Sequence, residues 1–98
     1  MGGADFYLAE FPPLNISKME QRALHALAQG GAILIERDTH RKITEAYCLN
    51  REGWRLAGFS IGLFKKLKRR GFIMSRNSGP YRITAHGLMS VRSQLDNR

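Results

Sequence analysis

The chain has 98 residues, 43% of them apolar, and a net charge of +8. A chain of this length builds one small core, its single cysteine excludes an intrachain disulfide, and no apolar run approaches the ~20 residues that cross a bilayer. Disulfide scaffolds and membrane spans are therefore set aside, and a cytoplasmic protein with no membrane partner is expected, since the N-terminus lacks a basic region followed by an apolar stretch.

The charge is unevenly placed. From Gly53 to Leu95 there are nine Lys/Arg and no acid, whereas seven of the eight acids precede Gly53. A one-sided field of this kind attracts polyanions over a Debye length, ~10 Å at moderate salt, so nucleic acid or an acidic protein is the expected partner class.

Residues 1–14 carry Pro12-Pro13 and no sustained period, and are expected to be a flexible N-terminal extension to one domain over 15–98. Ser17 followed by Glu20 predicts a capping box. The helix it opens has Ala23, Leu24, Leu27 and Ala28 on one face, opposite Lys18, Arg22 and His25, and ends at Gly30-Gly31. Two strands follow, Ala32 to Ile35 and Ile43 to Leu49, joined by the turn Asp38-Thr39-His40-Arg41; the second strand carries Ile43, Tyr47 and Leu49 on one side. A turn at Asn50-Arg51-Glu52-Gly53 leads to a third short strand over Trp54 to Phe59, completing a β meander. Ser60 caps the next helix, whose buried stripe is Leu63, Phe64 and Leu67 and whose end is Gly71. Lys65, Lys66, Lys68, Arg69 and Arg70 fill the rest of its circumference, so all five can reach solvent. Phe72 to Ser75 and Tyr81 to Thr84 read as a hairpin turned at Arg76 to Pro80. Thr84 then caps a last helix with Leu88, Val91 and Leu95 inward.

The class is α+β. A basic helix closed by glycine, then a hairpin that runs into a helix, resembles the ending of a winged-helix domain, a helix-turn-helix relative. Leu67, Gly71-Phe72-Ile73, Tyr81-Arg82-Ile83-Thr84 and Gly87 carry that resemblance. It implies a recognition helix over Ser60 to Arg70 and a wing tip over Arg76 to Pro80. The β meander between the first helix and the basic helix departs from a typical member, which has a second helix there.

The five helix cations taken alone fit a solvated surface better than a binding face. The missing acids favour the binding face, because a helix selected for solubility mixes signs and like charges at this spacing repel by a few tenths of a kcal/mol per pair. Arg76, Asn77 and Arg82 suit a wing that reaches phosphate or minor groove, and equally a polar hairpin tip. Tyr81 is expected in the core, and Trp54 in the core or as a partner anchor. Cys48, alternating with Tyr47 and Leu49, is expected to be a buried structural thiol. His25, His40 and His86 have no metal-ligand spacing, neither glycine pair forms a phosphate loop, and the acids show no acid–base pairing, so neither catalysis nor a cofactor or metal is expected.

From Asn15 onward the chain is also similar to the YjhX-like toxin family of small bacterial proteins. The similarity is carried by Ile16-Ser17-Lys18, Glu20-Gln21-Arg22, Leu24-His25, Leu27-Ala28-Gln29-Gly30-Gly31, Cys48, Arg51-Glu52-Gly53, Phe64-Lys65-Lys66-Leu67-Lys68, Pro80-Tyr81-Arg82-Ile83-Thr84 and Gln94-Leu95-Asp96-Asn97-Arg98. The resemblance implies the toxin half of a toxin–antitoxin pair that inhibits DNA topoisomerase I, with an acetyltransferase-like antitoxin. Met1 to Pro13 precede the family's length, which points to translation starting at position 14, where an alternative start codon is read as leucine. Ala57-Gly58-Phe59 is less polar than the family's approach to the basic helix. Two other functions fit the same residues: a transcriptional regulator reading DNA through the basic helix, and a protein-interaction module using the meander with Trp54.

Overall fold

The capping box predicted at Ser17 opens the described part of the chain: the computed structural model describes residues 17–96, with side chains to position 92. The expected extension over 1–14 and the inward placement of Leu95 lie outside the described residues. Helix α1 spans Lys18–Ala28, with the Ser17 hydroxyl accepting from the Glu20 N–H and the Glu20 carboxylate accepting from the Ser17 N–H at 3.0 Å. At its other end Gly30, at φ +114°, and Gly31 donate to the carbonyls of Leu27 and Ala26, closing the helix with a left-handed C-cap.

Strands β1 (Ala32–Arg37) and β2 (Ile43–Leu49) form an antiparallel hairpin from Ala32↔Leu49 to Arg37↔Ile43, with a register irregularity after Glu36. Asp38 organises its turn by accepting from the N–H groups of His40 and Lys42. Helix α2 spans Ile61–Arg69 and is capped by the Ser60 hydroxyl on the Leu63 N–H. Gly71, at φ +77°, ends it, with the N–H groups of Gly71 and Phe72 donating to Lys68 and Leu67. Strands β3 (Ile73–Ser75) and β4 (Tyr81–Ile83) follow as a second hairpin, and helix α3 spans Ala85–Asp96.

The two hairpins join into one antiparallel sheet of order β2-β1-β4-β3. Their junction is a single register pair, Ile33↔Tyr81, beyond which Pro80 removes a backbone donor and the second hairpin leaves the ladder. Ile33, Cys48 and Ala46 share the face that meets Leu24 and Leu27 of α1 and Phe64 and Leu67 of α2; Phe72 and Ile73 complete the core. Each fully buried Leu, Ile or Phe among these contributes roughly 1.5–3 kcal/mol.

Thr84 ties the second half together. Its hydroxyl donates to the Gly71 carbonyl at 2.7 Å and accepts from the Gly87 N–H at 3.0 Å, while its own N–H donates to the Phe72 carbonyl. One residue thus joins the end of α2, the hairpin and the start of α3.

The structure corrects several expectations. The third strand of the meander reduces to one isolated bridge, Leu49↔Arg55, because Gly53 and Gly58 take left-handed backbone angles on either side of it and interrupt the extended run. Asn50 instead organises a turn, its side-chain oxygen accepting from the N–H groups of Glu52 and Trp54. Trp54 is 73% exposed and so is not core. In β2 the deeply buried side chains are Ala46 and Cys48, and Ile43, Tyr47 and Leu49 are only half-buried. In α3 the buried positions are Gly87 and Ser90, with Val91 half-buried, and Leu88 is exposed. There the glycine lets the helix approach the Phe72 carbonyl and Ile83, so the contact face rotates one position away from the apolar pattern.

Candidate functional site

Helix α2 puts Phe64 and Leu67 into the core, leaves Ile61 and the expected stripe residue Leu63 only half-buried, and carries cations at its other positions from Lys65 onward. Lys65, Lys68 and Arg69 are exposed. Lys66 and Arg70 are turned instead toward Glu20 of α1, which is completely buried. The Lys66 Nζ lies 3.4 Å from Glu20 Oε1 and the Arg70 Nη1 lies 3.9 Å from Oε2. The second approach is a charge contact without a hydrogen bond, and both Oε2 and Nη1 are buried with no hydrogen-bond partner. The five cations therefore do not behave as one set. Three face outward, and two anchor α2 to the capping turn of α1 while keeping part of their side chains, 43% for Lys66 and 25% for Arg70, in solvent.

This role of Glu20 is a feature of the site that sequence reasoning missed. Ser17-x-x-Glu20 signalled the cap, but a carboxylate reaching 46 positions along the chain has no sequence period. The only available signal was the imbalance itself: a helix with no acid of its own needs a counter-charge from another element.

The hairpin residues divide in the same way. Arg76 and Asn77 sit exposed at the tip, where Asn77 (φ 53°) and Ser78 (φ 60°) are left-handed and the Gly79 N–H donates to the Arg76 carbonyl. Arg82 is directed back to the body, its Nη1 donating at 3.3 Å to the carbonyls of Gly30 and Gly31 at the end of α1. Tyr81 stacks edge-on to Phe64, ring centroids 4.9 Å apart, and Lys68 Nζ lies 5.8 Å from the Tyr81 ring. The structure thus brings Lys68 to the hairpin through Tyr81, keeps Arg76 and Asn77 outward, and uses Arg82 to fasten β4 to α1.

On the sheet, the Arg55 guanidinium lies 4.2 Å from the centre of the Tyr47 ring. Partial burial, a hydrogen bond to Glu36 and the negative charge of that residue raise the Tyr47 hydroxyl above its ordinary pKa. Burial pushes the Cys48 thiol up to about 11, which leaves it protonated and unreactive at neutral pH. Among the described residues no three His, Cys, Asp or Glu gather as metal ligands, and no helix is long and apolar enough to cross a membrane. The exposed side chains gathered here, Lys65, Lys68, Arg69 and Arg76, are cationic.

A family model described as "Putative toxin of bacterial toxin-antitoxin pair", the YjhX toxin model, matches residues 14–98. A UPF0386 protein of Chelativorans is 55% identical over 85 residues, covering 87% of this chain and all of that protein. UPF0386 proteins of Rhodospirillum centenum and of a Caulobacter strain are 56% and 55% identical, each over 87% of this chain and over 99% and 93% of their own lengths. No solved structure matches the chain significantly.

Proposed function

Since the chain belongs to the YjhX toxin family, one half of a bacterial toxin–antitoxin pair, we propose that it acts by binding, without catalysis, and that its cationic face engages duplex DNA in inhibiting DNA topoisomerase I. The observation that carries this reading is the outward trio Lys65, Lys68 and Arg69 on a helix whose chain surroundings, from Gly53 to Leu95, hold no acid. These cations sit in the last turns of α2, where they also relieve the helix dipole by about 0.3–1 kcal/mol each. The dipole accounts for the sign of these residues. It does not account for the missing counter-charges.

The winged-helix reading supplies the geometry. Helix α2 takes the role of the recognition helix, and Arg76 and Asn77 on the hairpin tip reach a flanking phosphate. Family resemblance supplies the target enzyme, and an acetyltransferase-like antitoxin as the other half of the pair.

The test is plasmid relaxation by DNA topoisomerase I with purified protein and with the variant Lys65→Ala, Lys68→Ala, Arg69→Ala. The expected result is inhibition by the native chain and its loss in the variant; each phosphate contact removed should also flatten the salt dependence of duplex binding by about 0.9 in log–log slope. Unchanged relaxation at saturating native protein would overturn the reading. The order of α2, glycine and hairpin supports a second one, a regulator that reads sequence. It predicts a base preference of about 1–3 kcal/mol per specific contact, where phosphate contacts give none.

A further inference from the structure

The sheet contains an interrupted junction. Strand β1 is laddered along its whole length to β2, but on its other side it pairs only through Ile33↔Tyr81. From Leu34 to Arg37 that side has no ladder partner among the described residues. A groove of about 800 Å³ runs along this edge between β1 and the hairpin tip, and Leu34, Ile35, Tyr47, Gly79, Pro80 and Tyr81 are among the residues that line it. A strand edge with free backbone groups beside a groove is the arrangement used when an extended peptide is added to a sheet.

The charge around it indicates what kind of strand fits. Arg37 and Arg41 line the groove, and Arg37 is oriented by donating from Nη1 to the Arg41 carbonyl at 3.1 Å. Glu36 lines the same groove, so the two arginines leave its lining with a net charge of +1. Alternate side chains of an inserted strand would meet Leu34 and Tyr47 on one side and Ile35 and Tyr81 on the other, as the two-residue period of a strand requires.

We propose that this groove is the docking site for an extended acidic segment of the partner protein, paired by its backbone to the free edge of β1 and held by Arg37 and Arg41. The inference uses the family's paired nature for the existence of a partner, and does not depend on the DNA reading, whose residues lie on α2. Binding here would leave Lys65, Lys68 and Arg69 uncovered.

The probe is a capped eight-residue peptide of alternating valine and aspartate, followed by amide NMR on the full chain. The expected result is that the amides of Leu34 to Arg37 shift and exchange more slowly, that N-methylating alternate peptide bonds of the probe abolishes this, and that Arg37→Glu with Arg41→Glu weakens binding by about tenfold or more. The same double variant must retain the native amide spectrum elsewhere, which separates loss of binding from loss of fold. Shifts confined to α2, or unchanged affinity for the N-methylated peptide, would overturn the proposal. So would two results that identify another occupant: tighter peptide binding after removal of residues 1–13, or a dimer of this chain that the peptide dissociates.

Discussion

Glu20 concentrates more of this structure's chemistry than any other side chain. It caps α1, is completely buried, and is the counter-charge for both Lys66 and Arg70. Because the solvent sides of Lys66 and Arg70 are screened, the pair is worth less than a fully buried one. Glu20→Ala should still cost about 2–4 kcal/mol, through the lost cap and a guanidinium left without its partner charge. Glu20→Gln keeps an acceptor for the Ser17 N–H and should cost about half as much. Urea unfolding of the two variants measures this, and equal losses would show that the charge has no part in it. Cys48 makes the second residue-scale prediction. Its thiol holds the proton to about pH 11 in the folded chain against 9.0 in the open one. As pH rises through this window the unfolded chain gives up the proton first, so stability should fall with pH, by about 1–3 kcal/mol in all. Below the lower value the contribution is constant. Cys48→Ala should remove most of that fall between about pH 8 and about pH 11 when unfolding is followed at both; an identical fall in the variant would remove Cys48 as its source.

Among the elements, the ends were more legible than the faces. Ser17, Ser60 and Thr84 cap three helices and Gly30 and Gly71 close two of them, all as their local chemistry predicts. The faces depend on close approaches that no period encodes. A Cβ on Gly87 would stand 2.5 Å from the Phe72 carbonyl oxygen and 2.7 Å from Ile83 Cγ1. An apolar reading of α3 therefore selects Leu88, when the helix is seated through a residue with no side chain. Gly87→Ala should accordingly destabilise by about 1–3 kcal/mol despite alanine's helix preference of about 1 kcal/mol, because backbone and a branched side chain would have to move. A thermal melt checks the sign, and a stabilised variant would show that α3 can shift freely. The third strand of the meander failed for a related reason. Trp54 to Phe59 has strand-forming residues, but a strand of that length needs an uninterrupted extended backbone, and Gly53 and Gly58 do not provide one.

For the whole molecule, the amino-acid order settles what is local or additive. It fixes the net charge, the acid-free half from Gly53 to Leu95, the positions of seven elements to within a few residues, and membership of a family whose similarity spans residues 14–98. Charge and composition add residue by residue, and caps and turns act over three or four positions, so both are readable without a fold. Only the tertiary structure decided which cations are available. Glu20 takes Lys66 and Arg70, Gly30 and Gly31 take Arg82, and Lys65, Lys68 and Arg69 are left outward. It also decided that β4 meets β1 at one residue pair, which opens the groove along Leu34 to Arg37. Both outcomes rest on contacts between segments far apart in the chain, where an ion pair or a ladder depends on the angle at which two elements pack. That angle is set by the volume of buried side chains and by where glycine permits close approach, and no spacing along the sequence records it.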